Sequence, residues 1–190
     1  MSPDEKSGCT DALSRVHLLL GAAAAAPSDA DVLELGLSQA IAATGAGSAV
    51  LGTLRDRTTL DMAMVAEGGG RISRCGALRV GPRYPLTDAI AREQPVWLSS
   101  AAEIAAGYPT AGGLWGRAFA AVPVLVRGVP AGAIGVIHDA GEHVFTAGER
   151  LCLQAVADIC ALVMAYRQAI GIVRPMPPLG HRYAAQDAGR

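Results

Sequence analysis

The sequence predicts an α+β fold: an antiparallel sheet with helices at both ends of the chain. Three observations carry this. Ala118 to Val126 and Gly132 to His138 are apolar runs joined by the turn Arg127-Gly128-Val129-Pro130, the pattern of a strand pair. Apolar residues recur at helical spacing near both ends, at Leu13, Val16 and Leu20 and again from Leu151 to Ile170. Between them, TDAIAREQPVWL reads as a short polar-capped helix running into a strand.

The first helix spans Asp11 to Ala26, favoured by its alanine run and ended by Pro27. Ser28 caps a second helix whose first turn holds Asp29 and Asp31, where the helix dipole favours negative charge. Leu33, Leu37, Ala40 and Ile41 form its buried stripe, and Thr44-Gly45 stops it. Ala49 to Leu54 and Thr58 to Ala66 read as a hairpin around Arg55-Asp56-Arg57. Gly68 to Gly70 break the pattern, and Cys75 to Val80 is a further short strand.

Thr87 is expected to cap a helix from Asp88 to Arg92, which Gln94-Pro95 stops. Val96-Trp97-Leu98 follows as a brief strand. Ser100 and Glu103 have capping-box spacing, as do Thr146 and Glu149 before the last helix. Thr110 to Gly116 is glycine-rich and reads as a loop. Pro123 lacks a backbone donor, so it is expected at a bulge or a sheet edge. The tail from Arg174 has the composition of a disordered segment. The expected organisation is a flexible residue range 1–10, a domain over 11–170 and a flexible tail over 171–190.

The last helix carries two apolar stripes. One holds Cys152, Val156, Ile159, Val163, Tyr166 and Ile170; the other holds Leu151, Ala155, Leu162, Ala165 and Ala169. A surface helix needs only one stripe. The second implies another helical partner, either the chain's own N-terminal helix or a second copy in a homodimer.

Composition excludes several classes. Hydrophobic residues make up 51 % but aromatics only 4 %, so the core rests on Ala, Val, Leu and Ile. The net charge is -1 with no basic run, which lacks the footprint of a nucleic-acid binder. Gln154, Asp158, Arg167 and Gln168 argue against a membrane span in the last helix, and the polar start is not a signal peptide.

Cys9, Cys75, Cys152 and Cys160 form no CxxC pair, which argues against a zinc site or a disulfide framework. Cys152 and Cys160 would lie about 12 Å apart along one helix, beyond the ~7 Å reach of a bridge. A reducing cytoplasm is the expected location.

Patterns for phosphate loops, zinc proteases and serine nucleophile elbows are absent. His138, Asp139, Glu142 and His143 are ligand types for a metal, but a polar loop between strand and helix is the favoured reading. No cofactor is assigned.

The phrases TDAIAREQPVWL, AAVPVLVRGVPAGAIGVI and FTAGERLCLQAVADICALV resemble those of actinobacterial GAF-domain signalling proteins. The resemblance covers about Asp11 to Ile170. It implies a PAS-related antiparallel sheet of five or six strands, with terminal helices on one face and short helices and loops on the other. It also implies a non-catalytic sensory or regulatory role, with a small molecule between sheet and cover.

The matching cover is Arg71 to Arg117. Its candidate ligand-binding residues are Tyr84, Thr87, Asp88, Trp97, Tyr108, Trp115 and Arg117. For Trp97 and Tyr108 the favoured reading is as core anchors of an aromatic-poor domain, which leaves Trp115, in its glycine-rich loop, as the better site candidate. The resemblance admits a haem ligand at His138 or His143. The bilin-attaching subgroup carries a Cys next to a His, whereas Gly76 follows Cys75 here. A free methionine sulfoxide reductase of this fold clusters its cysteines, and Cys75 stands by itself in the middle of the chain. The remaining expectations are an unknown signalling partner and a ligand-free dimerisation module as the alternative function.

Overall fold

The computed structural model describes residues 14–18, 20–21, 28–66, 72–81, 83–111 and 116–169. The elements in chain order are α1 (Asp29–Thr44), β1 (Ser48–Leu54), β2 (Thr59–Ala66), β3 (Ser73–Arg79), α2 (Pro85–Arg92), β4 (Val96–Leu98), α3 (Ala101–Gly107), β5 (Ala118–Val126), β6 (Val129–His138) and α4 (Ala147–Ala169). Residues 14–18 and 20–21 are helical. The rest of the first expected helix lies outside the described residues, as do the Gly68 to Gly70 break and the tail.

Six strands form one sheet in the order β3-β2-β1-β6-β5-β4. Every neighbouring pair is antiparallel. Alternate residues serve opposite faces. Leu51, Val122, Val124, Ile134 and Val136 point to one core, which α1 and α4 cover with Leu37, Val156 and Ile159. Val50, Phe119, Ala121 and Ile137 point to the other, covered by Leu86 and Ile90 of α2 and Ile104 of α3. A double cover explains the unbroken apolar character of β5 and β6, because neither face can be polar. The result is the three-layer α+β arrangement that the sequence predicts.

The helix signals act as expected at several ends. Ser28 Oγ accepts from the Asp31 N–H at 3.3 Å, and Gly45 ends α1 in the left-handed region at φ 66. Glu149 Oε2 accepts from the Thr146 N–H at 2.6 Å, and the Glu149 N–H returns to Thr146 Oγ1 at 3.3 Å. At α3, Ser100 Oγ accepts from the Glu103 N–H, but Glu103 reaches back to the Ser99 N–H rather than to that of Ser100.

Three local expectations differ from the structure. Thr87 does not cap α2; the helix starts at Pro85, with Tyr84 at the cap. Proline suits the first helical turn because its missing N–H would have no partner there. Strand β3 starts at Ser73, and the pairing register shifts around Cys75.

The β5–β6 turn is only Arg127-Gly128, with φ 54 and 77, so β6 begins at Val129 and takes in Pro130. Positive φ at both positions matches the right-handed twist of a two-residue hairpin. Pro123 meets its expectation: pairing with β4 stops at Ala121, and a register shift follows at Val124/Leu125.

On α4 the first stripe is buried from Cys152 to Ile159 and ends exposed at Tyr166. In the second stripe Leu151 and Leu162 are 48 % and 65 % exposed, so intrachain packing leaves that face largely open. Helix α1 lies instead on the buried face, where Gly36 brings its backbone close to Val156 and Cys160.

Candidate functional site

Helix α2 presents a buried polar group to the cover layer. Leu86, Ala89 and Ile90 anchor it to the sheet, which also draws Thr87 and Asp88 inward. Thr87 Oγ1 donates to the carbonyl oxygens of Tyr84, at 3.0 Å, and Gly81. Tyr108 follows α3 and donates its hydroxyl to Asp88 Oδ2 at 2.6 Å. Arg92, one turn along α2, donates from Nε to Asp88 Oδ1 at 2.9 Å and keeps its guanidinium toward water. Burial, then the Asp88 bond and charge, raise the Tyr108 hydroxyl well above the ordinary tyrosine range against the opposing pull of Arg92. The carboxylate has a cation on one oxygen and a neutral donor on the other, which satisfies a buried charge.

An open groove of ≈ 530 Å³ runs beside β4, from Arg92 along residues 94–98 to Gly107 and Tyr108. Trp97 lines it but packs toward the opposite sheet face from Tyr108. Its ring lies 5.6 Å from that of Phe145, and the Arg150 guanidinium sits 5.0 Å from its centroid. The structure therefore brings Thr87, Asp88 and Tyr108 together and leaves Trp97 on the helix side of the edge strand. Tyr84 is half-buried against the cover core. Trp115 lies outside the described residues. Arg117 is exposed, and its backbone N–H donates to the His138 carbonyl at 2.6 Å.

A second groove of ≈ 490 Å³ lies at the far end of β6, lined by Gly45, Gly47 and residues 138–143. His138 and His143 stack there, with Phe145 edge-on to both rings. Sequence reasoning treated this stretch as a polar loop and missed the ring cluster. The available signal was His138, His143 and Phe145 between an apolar strand and a capping box. Among the described residues, no group of three or more His, Cys, Asp or Glu is placed to hold a metal ion. No described helix is long and apolar enough to cross a membrane.

The chain belongs to the GAF domain family, whose model matches residues 26–165. Domains of this family are commonly sensory and ligand-binding.

Among solved structures, the chain is similar to the GAF domain of the Acinetobacter phosphoenolpyruvate-protein phosphotransferase. The two are 16% identical with a TM-score of 0.72, over 85% of this chain and 98% of that one. The corresponding domain from Coxiella burnetii is 21% identical, with a TM-score of 0.70 over 87% and 99%. Free methionine-R-sulfoxide reductase from Neisseria meningitidis, solved in complex with its substrate, is 17% identical, with a TM-score of 0.64 over 81% and 89%. At these identities the likeness is one of fold. No curated protein matches the sequence.

Proposed function

We propose that this chain is a non-catalytic sensory or regulatory domain of the cytoplasm. It binds a small molecule at the Tyr84–Arg117 cover and signals through its terminal helices to a partner protein. The observation that carries this reading is the groove beside β4, where Tyr108 of the cover and Trp97 of the sheet edge border one concavity. Aromatic walls with a few polar groups suit a small organic ligand. In this reading Tyr108 and Trp97 touch the ligand. Thr87 and Asp88 hold the wall in place, and Tyr84, Trp115 and Arg117 contribute from the flanking segments.

Signalling requires the ligand to bind two states of the cover with different affinity. The substrate complex of the Neisseria reductase supports small-molecule occupancy of this fold. The non-catalytic reading rests on the thiols: Cys75 is exposed on the edge strand β3, while Cys152 and Cys160 are buried in α4. Partial desolvation also raises the Cys75 thiol, which disfavours the nucleophilic thiolate.

Thermal unfolding across a panel of metabolites and cyclic nucleotides tests the ligand. A compound at a hundredfold excess over its Kd stabilises by about 2.7 kcal/mol, which is readable as a shift of several degrees. A flat panel would leave the alternative, a ligand-free dimerisation module. That alternative draws on the exposed Leu151, Leu162 and Tyr166 of α4. Both readings include a homodimer joined through the terminal helices.

A further inference from the structure

His138 ends β6 and stacks flat on His143, with ring centroids 4.0 Å apart and planes 11° from parallel. Phe145 closes the pair edge-on, at 5.6 Å from His138 and 4.8 Å from His143. His138 is buried, and its Nε2 has no hydrogen-bond partner among the described residues. His143 Nε2 lies 2.9 Å from Glu149 Oε1. The other oxygen of that carboxylate accepts from the Thr146 N–H at 2.6 Å and from the Thr146 hydroxyl at 2.8 Å. Glu149 therefore closes the first turn of α4 and also holds the ring that covers His138.

We propose that the His138–His143 stack is an acid-operated latch between the end of β6 and the first turn of α4. With His138 neutral, the rings lie flat together and Glu149 bonds both His143 and Thr146. Protonation of His138 puts a charge in a buried position whose Nε2 meets no acceptor among the described residues. That charge also faces the second imidazole, which lowers the proton affinity of His138. Like charges in a poorly solvated site repel strongly. The rings separate, His143 leaves its place beside Glu149, and the α4 turn loses its lateral anchor. The device is independent of whether a small molecule occupies the β4 groove.

The surrounding charges set the threshold. Burial is the largest influence on His138 and His143 the next; both lower its proton affinity, while Glu149 and Asp139 raise it, and the balance lies below the ordinary 6.5. Glu142 borders the same groove, and the α1–β1 connection contributes only the uncharged Gly45 and Gly47 there. On the β5 side Arg117 meets His138 through its backbone, with its side chain exposed.

The sign follows from linkage. A histidine whose folded-state proton affinity is depressed stabilises the fold above its unfolded pKa. That contribution is lost as pH falls from there toward the folded value.

Histidine ring titration by NMR, with amide hydrogen exchange at Glu149 and Arg150, tests the latch from about pH 7.5 to about pH 5, the range in which histidines change charge. In the wild type, His138 should titrate below 6.5. Protection of the two amides, taken against the intrinsic exchange rate at each pH, should fall by roughly tenfold over the same interval, as expected for a local opening. His138→Phe keeps a flat ring but cannot take a proton, and should hold the amides protected throughout. Wild-type amides that ignore the titration would overturn the proposal. So would a His138→Phe variant with the same loss of protection. If that variant does not fold, the wild type decides by itself: titration of His138 at or above 6.5 sinks the latch.

Discussion

The Tyr108 hydroxyl donates to Asp88 Oδ2 at 2.6 Å, and both residues are buried. This bond ties α3 to α2 across the cover layer. Tyr108→Phe removes the donor and leaves a buried carboxylate oxygen unpaired, so it should cost about 1–3 kcal/mol in denaturant unfolding near neutral pH. The alkaline limb gives a second check. The folded state holds this hydroxyl protonated above the ordinary 10.0, so the stabilisation is complete below that value. It declines as pH rises further, because the unfolded chain releases the proton first. Tyr108→Phe should flatten that decline.

Gly135 lies at the centre of the sheet, beneath α2. A Cβ there would meet Phe119 Cζ at 2.7 Å and the Ala120 carbonyl oxygen at 3.1 Å. The aromatic ring can shift but the backbone oxygen cannot. Gly135→Ala should therefore destabilise by about 1–3 kcal/mol through overpacking. Gly132→Ala should cost more, since its Cβ would collide with the Gly52 carbonyl oxygen of the neighbouring strand. Thermal unfolding of the two variants provides the comparison.

The start of α4 depends on Thr146. Thr146→Ala removes the side-chain acceptor for the Glu149 N–H and one donor to Glu149 Oε2. A loss of about 0.5–2 kcal/mol is expected for a cap of this kind, measured by chemical denaturation.

Cysteine reactivity should divide by layer. Cys75 is exposed, whereas burial pushes the Cys160 thiol up to about 12. Iodoacetamide at mildly alkaline pH should modify Cys75 in the folded protein and reach Cys160 only after unfolding. Peptide mass spectrometry of the labelled protein reads this directly; native modification of Cys160 would contradict the packing of α1 on α4.

Association through the terminal helices should respond to one charge. Leu162 is 65 % exposed and Tyr166 60 % exposed, one turn apart on the open face of α4. Light scattering should report a dimer for the wild type, with Leu162→Glu shifted toward monomer and its melting behaviour as a monomer retained. A wild type that is monomeric at all concentrations would remove the homodimer.

The parts of this fold that were legible in sequence are those governed by local chemistry. The unbroken apolar β5 and β6 announced central strands covered on at least one side, and the structure covers both. The Ser100/Glu103 and Thr146/Glu149 pairs located two helix starts. Pro130 misled, because a proline two residues past a tight turn looks like part of the turn itself.

The candidate site was less legible. Trp97 and Tyr108 fall in one sequence interval, yet alternation along a three-residue strand sends the Trp97 ring to the other sheet face. The Asp88–Tyr108 bond joins residues with no shared periodicity, so no local pattern reports it. The same holds for the stack of His138 on His143, which depends on how the chain turns between β6 and α4.

The split orientation of Trp97 and Tyr108 changes the route a signal would need. A molecule seated along β4 would press on the outer cover through the phenol and on the helix that begins after Phe145 through the indole. Communication could then pass around the rim of the sheet in a single step, leaving the interior strands as a stationary frame.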